Sequence, residues 1–229
     1  MAEDYLTDDE QLEVVKHFFV EYAPWLIGGV LLGAAAFFGI QHYRSHVNDR
    51  ALAAASQFSA IGAALDANNR AKSRQMADAL IKDYPGSPYA DQATLLLARL
   101  DVDDGKLDKA LAPLTQVMND SKDTELRNIA RLRLARILID QGKSDEAIKA
   151  LADPIPAAFA TPYHEVRGDA YVAKKDKAAA VAEYQAALGA TDPNGIVASV
   201  LELKIQDLGA VPAPAAKPLP LDSTNKANP

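Results

Sequence analysis

The chain has 229 residues, no cysteine, four histidines and a net charge of −7. Without cysteine it has no disulfide, no thiolate metal site, no cysteine nucleophile and no lipid carried on cysteine. The charge is local: in residues 1–21 Glu3, Asp4, Asp8, Asp9, Glu10, Glu13 and Glu21 stand against Lys16 alone, so the remainder is near neutral and lacks the basic stripe that nucleic-acid binding needs.

Thr7 followed by Glu10 is a capping box, and Leu12, Val15, Phe19 and Tyr22 then recur at helical spacing. This predicts a short amphipathic helix lying on a membrane or against a partner. Pro24 is expected to kink the junction or to open the next helix at its first turn. Ala23 to Ile40 is free of charge. A helix of that length spans roughly 27 Å, close to the hydrocarbon thickness of a bilayer. Tyr22 and Trp25 flank it on one side and His42, Tyr43 and Arg44 on the other, residues at home at a water–lipid boundary. The acidic start and long apolar run argue against a cleaved signal peptide. The expected organisation is an acidic tail over 1–21, a single transmembrane helix over 22–43, a helical domain over 44–208 and a disordered proline- and alanine-rich tail over 209–229. Gly29 and Gly33 make a small-xxx-small pattern, a candidate contact for another membrane helix. Basic residues near the span, Lys16 against Arg44 and Arg50, vote weakly for a cytoplasmic main domain.

Beyond a helical stretch from about Asp49 to Asn68, the chain repeats with a period near 34 residues. Three blocks align on inter-helix turns at Gly105, Gly142 and Lys175. Seven residues before each turn stand Ala98, Ala135 and Gly168; five after stand Ala110, Ala147 and Ala180; nine after stand Leu114, Leu151 and Tyr184. Small residues where two antiparallel helices cross, and a large one a turn further on, are what a packed helical hairpin requires. The pattern resembles the tetratricopeptide repeat from about Pro88 to Pro193. Lys175 departs from the glycine expected at such a turn. A degenerate unit precedes, with Ala77 and Ile81 expected in the small and large roles. It ends at Tyr84-Pro85-Gly86-Ser87-Pro88. An amphipathic helix over Asn194 to Leu208 is expected to cap the far end. The fold class is therefore all-α: one N-terminal transmembrane helix, then a tetratricopeptide-repeat-like solenoid with a capping helix.

No Walker loop, dinucleotide fingerprint or nucleophile elbow occurs. His42 and His46 share a helical face but lack an evident third ligand for zinc. Asp101, Asp103, Asp104 and Gly105 are reminiscent of a calcium loop, yet Ala112 stands where the late glutamate belongs, so they read as a polar turn. No cofactor, metal or catalytic residue is expected. A solenoid works through the first helix of each repeat. Arg99, Arg136 and Asp169 share one register position, and Val102, Ile139 and Val172 lie three residues further on. These six are the candidate protein-binding groove. Its two arginines suit a carboxylate or an acidic segment, or they pair with Asp103 and Asp140 and do nothing more.

Residues Asp9 to Phe19, the glycine-rich apolar stretch, His42-Tyr43-Arg44-Ser45-His46, Leu132 to Arg136 and Leu201 to Ile205 together resemble the YfgM-like family of ancillary Sec translocon subunits, over about residues 8–208. The resemblance implies a non-enzymatic protein of the bacterial inner membrane with a cytoplasmic N-terminus, a single span and a periplasmic repeat domain. It implies association with the SecYEG channel, with a periplasmic chaperone of the PpiD type and with nascent secretory proteins. That orientation overrides the one-charge vote above. A membrane-anchored scaffold for another cell-envelope assembly is the alternative.

Overall fold

The computed structural model describes residues 8–152, 154–192 and 195–212. The capping box at Thr7, the side chains of Leu12, Val15 and Phe19, and the tail from residue 213 onward lie outside the described residues. All regular structure among the described residues is helical: α1 Asp8–Asp66, α2 Arg70–Asp83, α3 Pro88–Asp103, α4 Leu107–Asp120, α5 Thr124–Asp140, α6 Ser144–Ala150, a 3-10 turn Ala157–Phe159, α7 Ala160–Ala173, α8 Lys177–Gly189 and α9 Ile196–Asp207. The chain divides into two compact units, Met1–Ser56 and Gln57–Pro229, with the boundary inside α1.

The amphipathic, membrane and post-membrane helices expected as separate elements are one α-helix, uninterrupted at Pro24. A lone proline removes a single backbone donor. It does not by itself supply the left-handed residue that ends a helix. Along α1, Trp25, Leu32 and Phe38 are 81%, 74% and 67% exposed, and Ile27, Val30, Leu31, Phe37 and Ile40 are exposed as well. Successive residues on a helix point 100° apart, so Val30, Leu31 and Leu32 alone put apolar surface on three sides. Among the described residues no helix is long and apolar enough to cross a membrane. The apolar stretch 23–40 includes Ala23, Pro24 and Leu26, whose side chains lie outside the described residues.

In the second unit α3 pairs with α4, α5 with α6 and α7 with α8, α9 packs on α8, and the end of α1 meets α2 through the Ser73 hydroxyl, which donates to Ile61 O. The hairpin turns are built alike. Asn68, Gly105, Gly142 and Lys175 all take positive φ, from 56° to 75°. At Gly105 the amide donates to Val102 O at 2.9 Å and the next amide, of Lys106, donates to Asp101 O at 2.8 Å. The same pair of bonds recurs at Asn68, Gly142 and Lys175. This is the Schellman closure, in which one left-handed residue satisfies the orphaned carbonyls of the helix end.

The turn at Asn68 fixes the register of the first unit and corrects the sequence reading of it. Five residues on stands Ser73, nine on stands Ala77, and both are fully buried. Ser73, not Ala77, therefore holds the small position, and Leu80 fills the core in place of the half-buried Ile81. A serine is tolerated there because its hydroxyl donates to a carbonyl, with Ile61 O at 3.4 Å and Asn69 O at 3.2 Å.

In the later units the register holds. Ala110, Ala147 and Ala180 are fully buried, and Leu114, Leu151 and Tyr184 nearly so. α9 caps the last pair by burying Ala198, Leu201 and Ile205. It is less amphipathic than expected, since Ile196, Val197, Val200 and Leu203 are exposed on its other side.

A lysine at positive φ is strained by about 1–2 kcal/mol relative to glycine, partly offset by the extra freedom glycine gives the unfolded chain. Lys175→Gly is therefore expected to stabilise the domain by roughly 0.5 kcal/mol. A urea-unfolding midpoint that falls on this substitution would contradict the strained-turn account.

Candidate protein-binding groove

The first helices of two successive repeats, α3 and α5, frame a groove of about 420 Å³ lined by Ala98, Arg99, Val102, Leu114, Arg133, Arg136, Ile137 and Asp140. A second recess of about 340 Å³ adjoins it, lined by Phe58, Gln92, Leu95, Leu96, Leu126 and Ile129, and shares Arg99 and Arg133 with the first. The pattern of small and large residues sets this arrangement. Ala98 is buried at the crossing of α3 and α4, so its neighbour Arg99 is turned outward, and Ala135 does the same for Arg136 on α5.

Arg99, Val102 and Arg136, named from register alone, thus line one groove. Val102 is 36% exposed. Ile139 does not line it; it packs against the core of the domain. Val172 is exposed on α7 and does not belong to the lining of this groove. Asp169, at the register position of the two arginines, is held elsewhere. It accepts hydrogen bonds from Tyr184 OH at 2.7 Å and from Lys204 Nζ of α9 at 2.8 Å. Lys204 also bonds Glu165 at 2.8 Å and sits 5.3 Å from the Tyr184 ring centroid. Burial alone would lower the Lys204 ammonium, but its bonds to Asp169 and Glu165 outweigh that and hold it above its ordinary value. The Tyr184 hydroxyl is pushed upward by burial and by the neighbouring Asp169 carboxylate. The capping helix therefore closes the third register position.

Arg133 is the residue that register reasoning missed. It stands one turn before Arg136 on the same face of α5. Its Nη1 donates to Leu95 O at 3.1 Å, which fixes the guanidinium across the α3–α5 gap. Burial, and then the charges of Arg99 and Arg136, hold it below its ordinary value, a sign that three cations share this space. The proposed pairing of Arg99 and Arg136 with Asp103 and Asp140 does not occur. Asp103 faces Arg70 of α2 at 3.6 Å. Among the described residues no carboxylate oxygen lies within 4.0 Å of the Arg99, Arg133 or Arg136 guanidinium.

The acidic turn at Asp101 to Asp104 is likewise accounted for by structure. Arg74 reaches Asp101 at 2.8 Å and Asp104 at 2.9 Å, and Arg70 reaches Asp104 at 3.2 Å. These ion pairs tie α2 to the end of α3. In unit one, a Cβ added at Gly29 or Gly33 would meet nothing within 4 Å, so both present open backbone.

Comparison with known proteins agrees with the architecture. The model of the tetratricopeptide repeat-like domain family matches residues 16–210. An ancillary SecYEG translocon subunit of Escherichia coli is 30% identical over 206 residues, spanning 90% of this chain and 98% of that protein. One from Neisseria gonorrhoeae is 29% identical over 207 residues, spanning 89% of this chain and 98% of the relative. These relatives are translocon subunits and not enzymes, and this chain is non-enzymatic with them. From its repeat register, its helical hairpins and this near end-to-end similarity, the chain belongs to the YfgM-like family of ancillary SecYEG translocon subunits with a tetratricopeptide repeat-like domain.

Proposed function

We propose that this protein is an ancillary subunit of the SecYEG translocon, held in the bacterial inner membrane by residues 22–43 and presenting its repeat domain in the periplasm. The observation that carries the reading is similarity along nearly the whole length of two ancillary SecYEG subunits, the N-terminal apolar stretch included. The exposed apolar side chains around α1 support the anchor. A helix apolar on all sides needs either a protein core or a lipid around it, and these side chains stand uncovered. Gly29 and Gly33 offer a flat strip on which a channel helix can approach closely. In this reading the N-terminus is cytoplasmic, and the repeat domain meets a chaperone of the PpiD type and nascent secretory proteins at the channel exit. A scaffold for a different envelope assembly would share the anchor and the repeats, and partners alone separate the two.

The test is a tagged pull-down from native membranes in mild detergent. The Sec channel subunits are expected to co-purify, and to be lost when residues 23–40 are exchanged for an unrelated membrane helix. A periplasmic chaperone is expected with them. Recovery of another envelope machine in place of the channel would overturn the translocon assignment.

A further inference from the structure

Three arginines, Arg99, Arg133 and Arg136, meet in one groove without a carboxylate partner among the described residues. Arg70, Arg74 and Arg167 each hold one. Of the residues lining the groove only Asp140 is acidic, and it lies beyond ion-pair distance of all three guanidinium groups. Like charges gathered on one face repel one another and lower stability. Such a cluster is a cost that an anionic ligand would relieve. The apolar surface beside it narrows the class of ligand. Val102, Leu114 and Ile137 line the recess on one side of the arginine pair Arg99 and Arg133, and Phe58, Leu96 and Ile129 line the recess on the other. A phosphate or a lipid headgroup would use the arginines and leave both recesses empty.

We propose that the α3–α5 face docks an extended acidic segment of a protein partner, in which a carboxylate is flanked on the same side of the chain by apolar residues. The inference rests on the reading that the repeat domain binds protein, and it names the chemistry of what is bound. In an extended chain, residues two apart point the same way and lie about 7 Å apart. An acidic residue at one position therefore sets apolar residues two before and two after it over the two recesses. The carboxylate takes charge-assisted, two-pronged hydrogen bonds from a guanidinium, with the second and third arginines supplying field. Arg133, held by Leu95 O, is the fixed member. Arg99 and Arg136 are exposed and, among the described residues, make no competing ion pair.

The experiment uses the full chain in detergent micelles and a fluorescein-labelled ten-residue peptide carrying leucine, aspartate and leucine at alternate positions with serine between. Its partner probe has asparagine for aspartate. Anisotropy titration is expected to show the aspartate peptide binding about tenfold tighter, the worth of one charge-assisted contact. Arg99→Gln and Arg136→Gln are each expected to weaken it by about the same factor while Tm is unchanged or raised, because each relieves repulsion within the cluster. Equal binding of the two peptides, or full affinity in both variants, would overturn the proposal. So would displacement of the aspartate peptide by glycerol phosphate at the concentration at which unlabelled peptide displaces it, which would assign the arginines to a phosphate. Co-purification of the Sec channel is read on the same variants. Failure of the unsubstituted chain to bind the aspartate peptide, with the channel still co-purifying, sinks this inference alone. Absence of the channel from the parent pull-down sinks the translocon reading and leaves the peptide result standing.

Discussion

Ala135→Leu is expected to destabilise the repeat domain by about 1–3 kcal/mol, which in a domain of this size lowers Tm by on the order of 5 °C. Ala135 is completely buried and belongs to one cluster with Ala98, Ala147 and Leu151. Leucine adds three carbons to a site that has room for one. The neighbours on α4 and α6 must then spread or take poor rotamers. The matching control is one residue away. Arg136→Leu places the same side chain on an exposed position of the same helix, where the expected change is within about 0.5 kcal/mol. Thermal unfolding of the two variants decides the register. Equal melting would mean that α5 is rotated about its axis away from the orientation that buries Ala135.

What the sequence made legible was chiefly what the backbone dictates locally. A left-handed closing residue, a small residue seven before it and another five after it can be read without knowing any distant contact. That is why Gly105, Gly142 and Lys175 mark true turns. The first unit was misread by one helical turn because its closing residue is Asn68 and its small residue is Ser73, neither of which fits a search for glycine and alanine. The absence of any stop between residues 8 and 66 was equally local information. It was overruled by treating Pro24 as a boundary, when one missing donor is too little to end a helix.

The groove shows where local reading fails. Register placed Arg99 and Arg136 together because repeats stack in order. It also placed Asp169 beside them, and there a residue 35 positions away intervened: Lys204 of the capping helix takes that carboxylate. No periodicity announces such a contact, since α9 is outside the repeat. Arg133 was missed for the opposite reason. Its register equivalents are Leu96 and Val166, so a comparison between repeats discards it, whereas its spacing of three from Arg136 within one helix would have found it.

Gly168→Ala is expected to cost about 1–3 kcal/mol in the natural background and to stabilise, not destabilise, once Tyr184 is replaced by leucine. In the second and third hairpins the crossing pairs alanine with leucine, Ala98 with Leu114 and Ala135 with Leu151. In the fourth, glycine accompanies the larger tyrosine. A Cβ at Gly168 would come within 2.5 Å of Tyr184 Cδ1 and 3.0 Å of Cζ. The ring cannot swing away freely, because its hydroxyl is bonded to Asp169 and Lys204 lies beside it. The helix-forming advantage of alanine over glycine, about 1 kcal/mol, is smaller than the cost of moving that ring. With Tyr184→Leu the obstruction is gone and a space opens beside residue 168. The added methyl then fills it and the helical advantage of alanine is realised. Chemical unfolding of the parent, the two single variants and the double variant gives the coupling directly, with Tyr184→Leu alone losing its bond to Asp169. A loss from Gly168→Ala of the same size in both backgrounds would mean that the glycine serves the backbone of α7 and not the bulk of Tyr184.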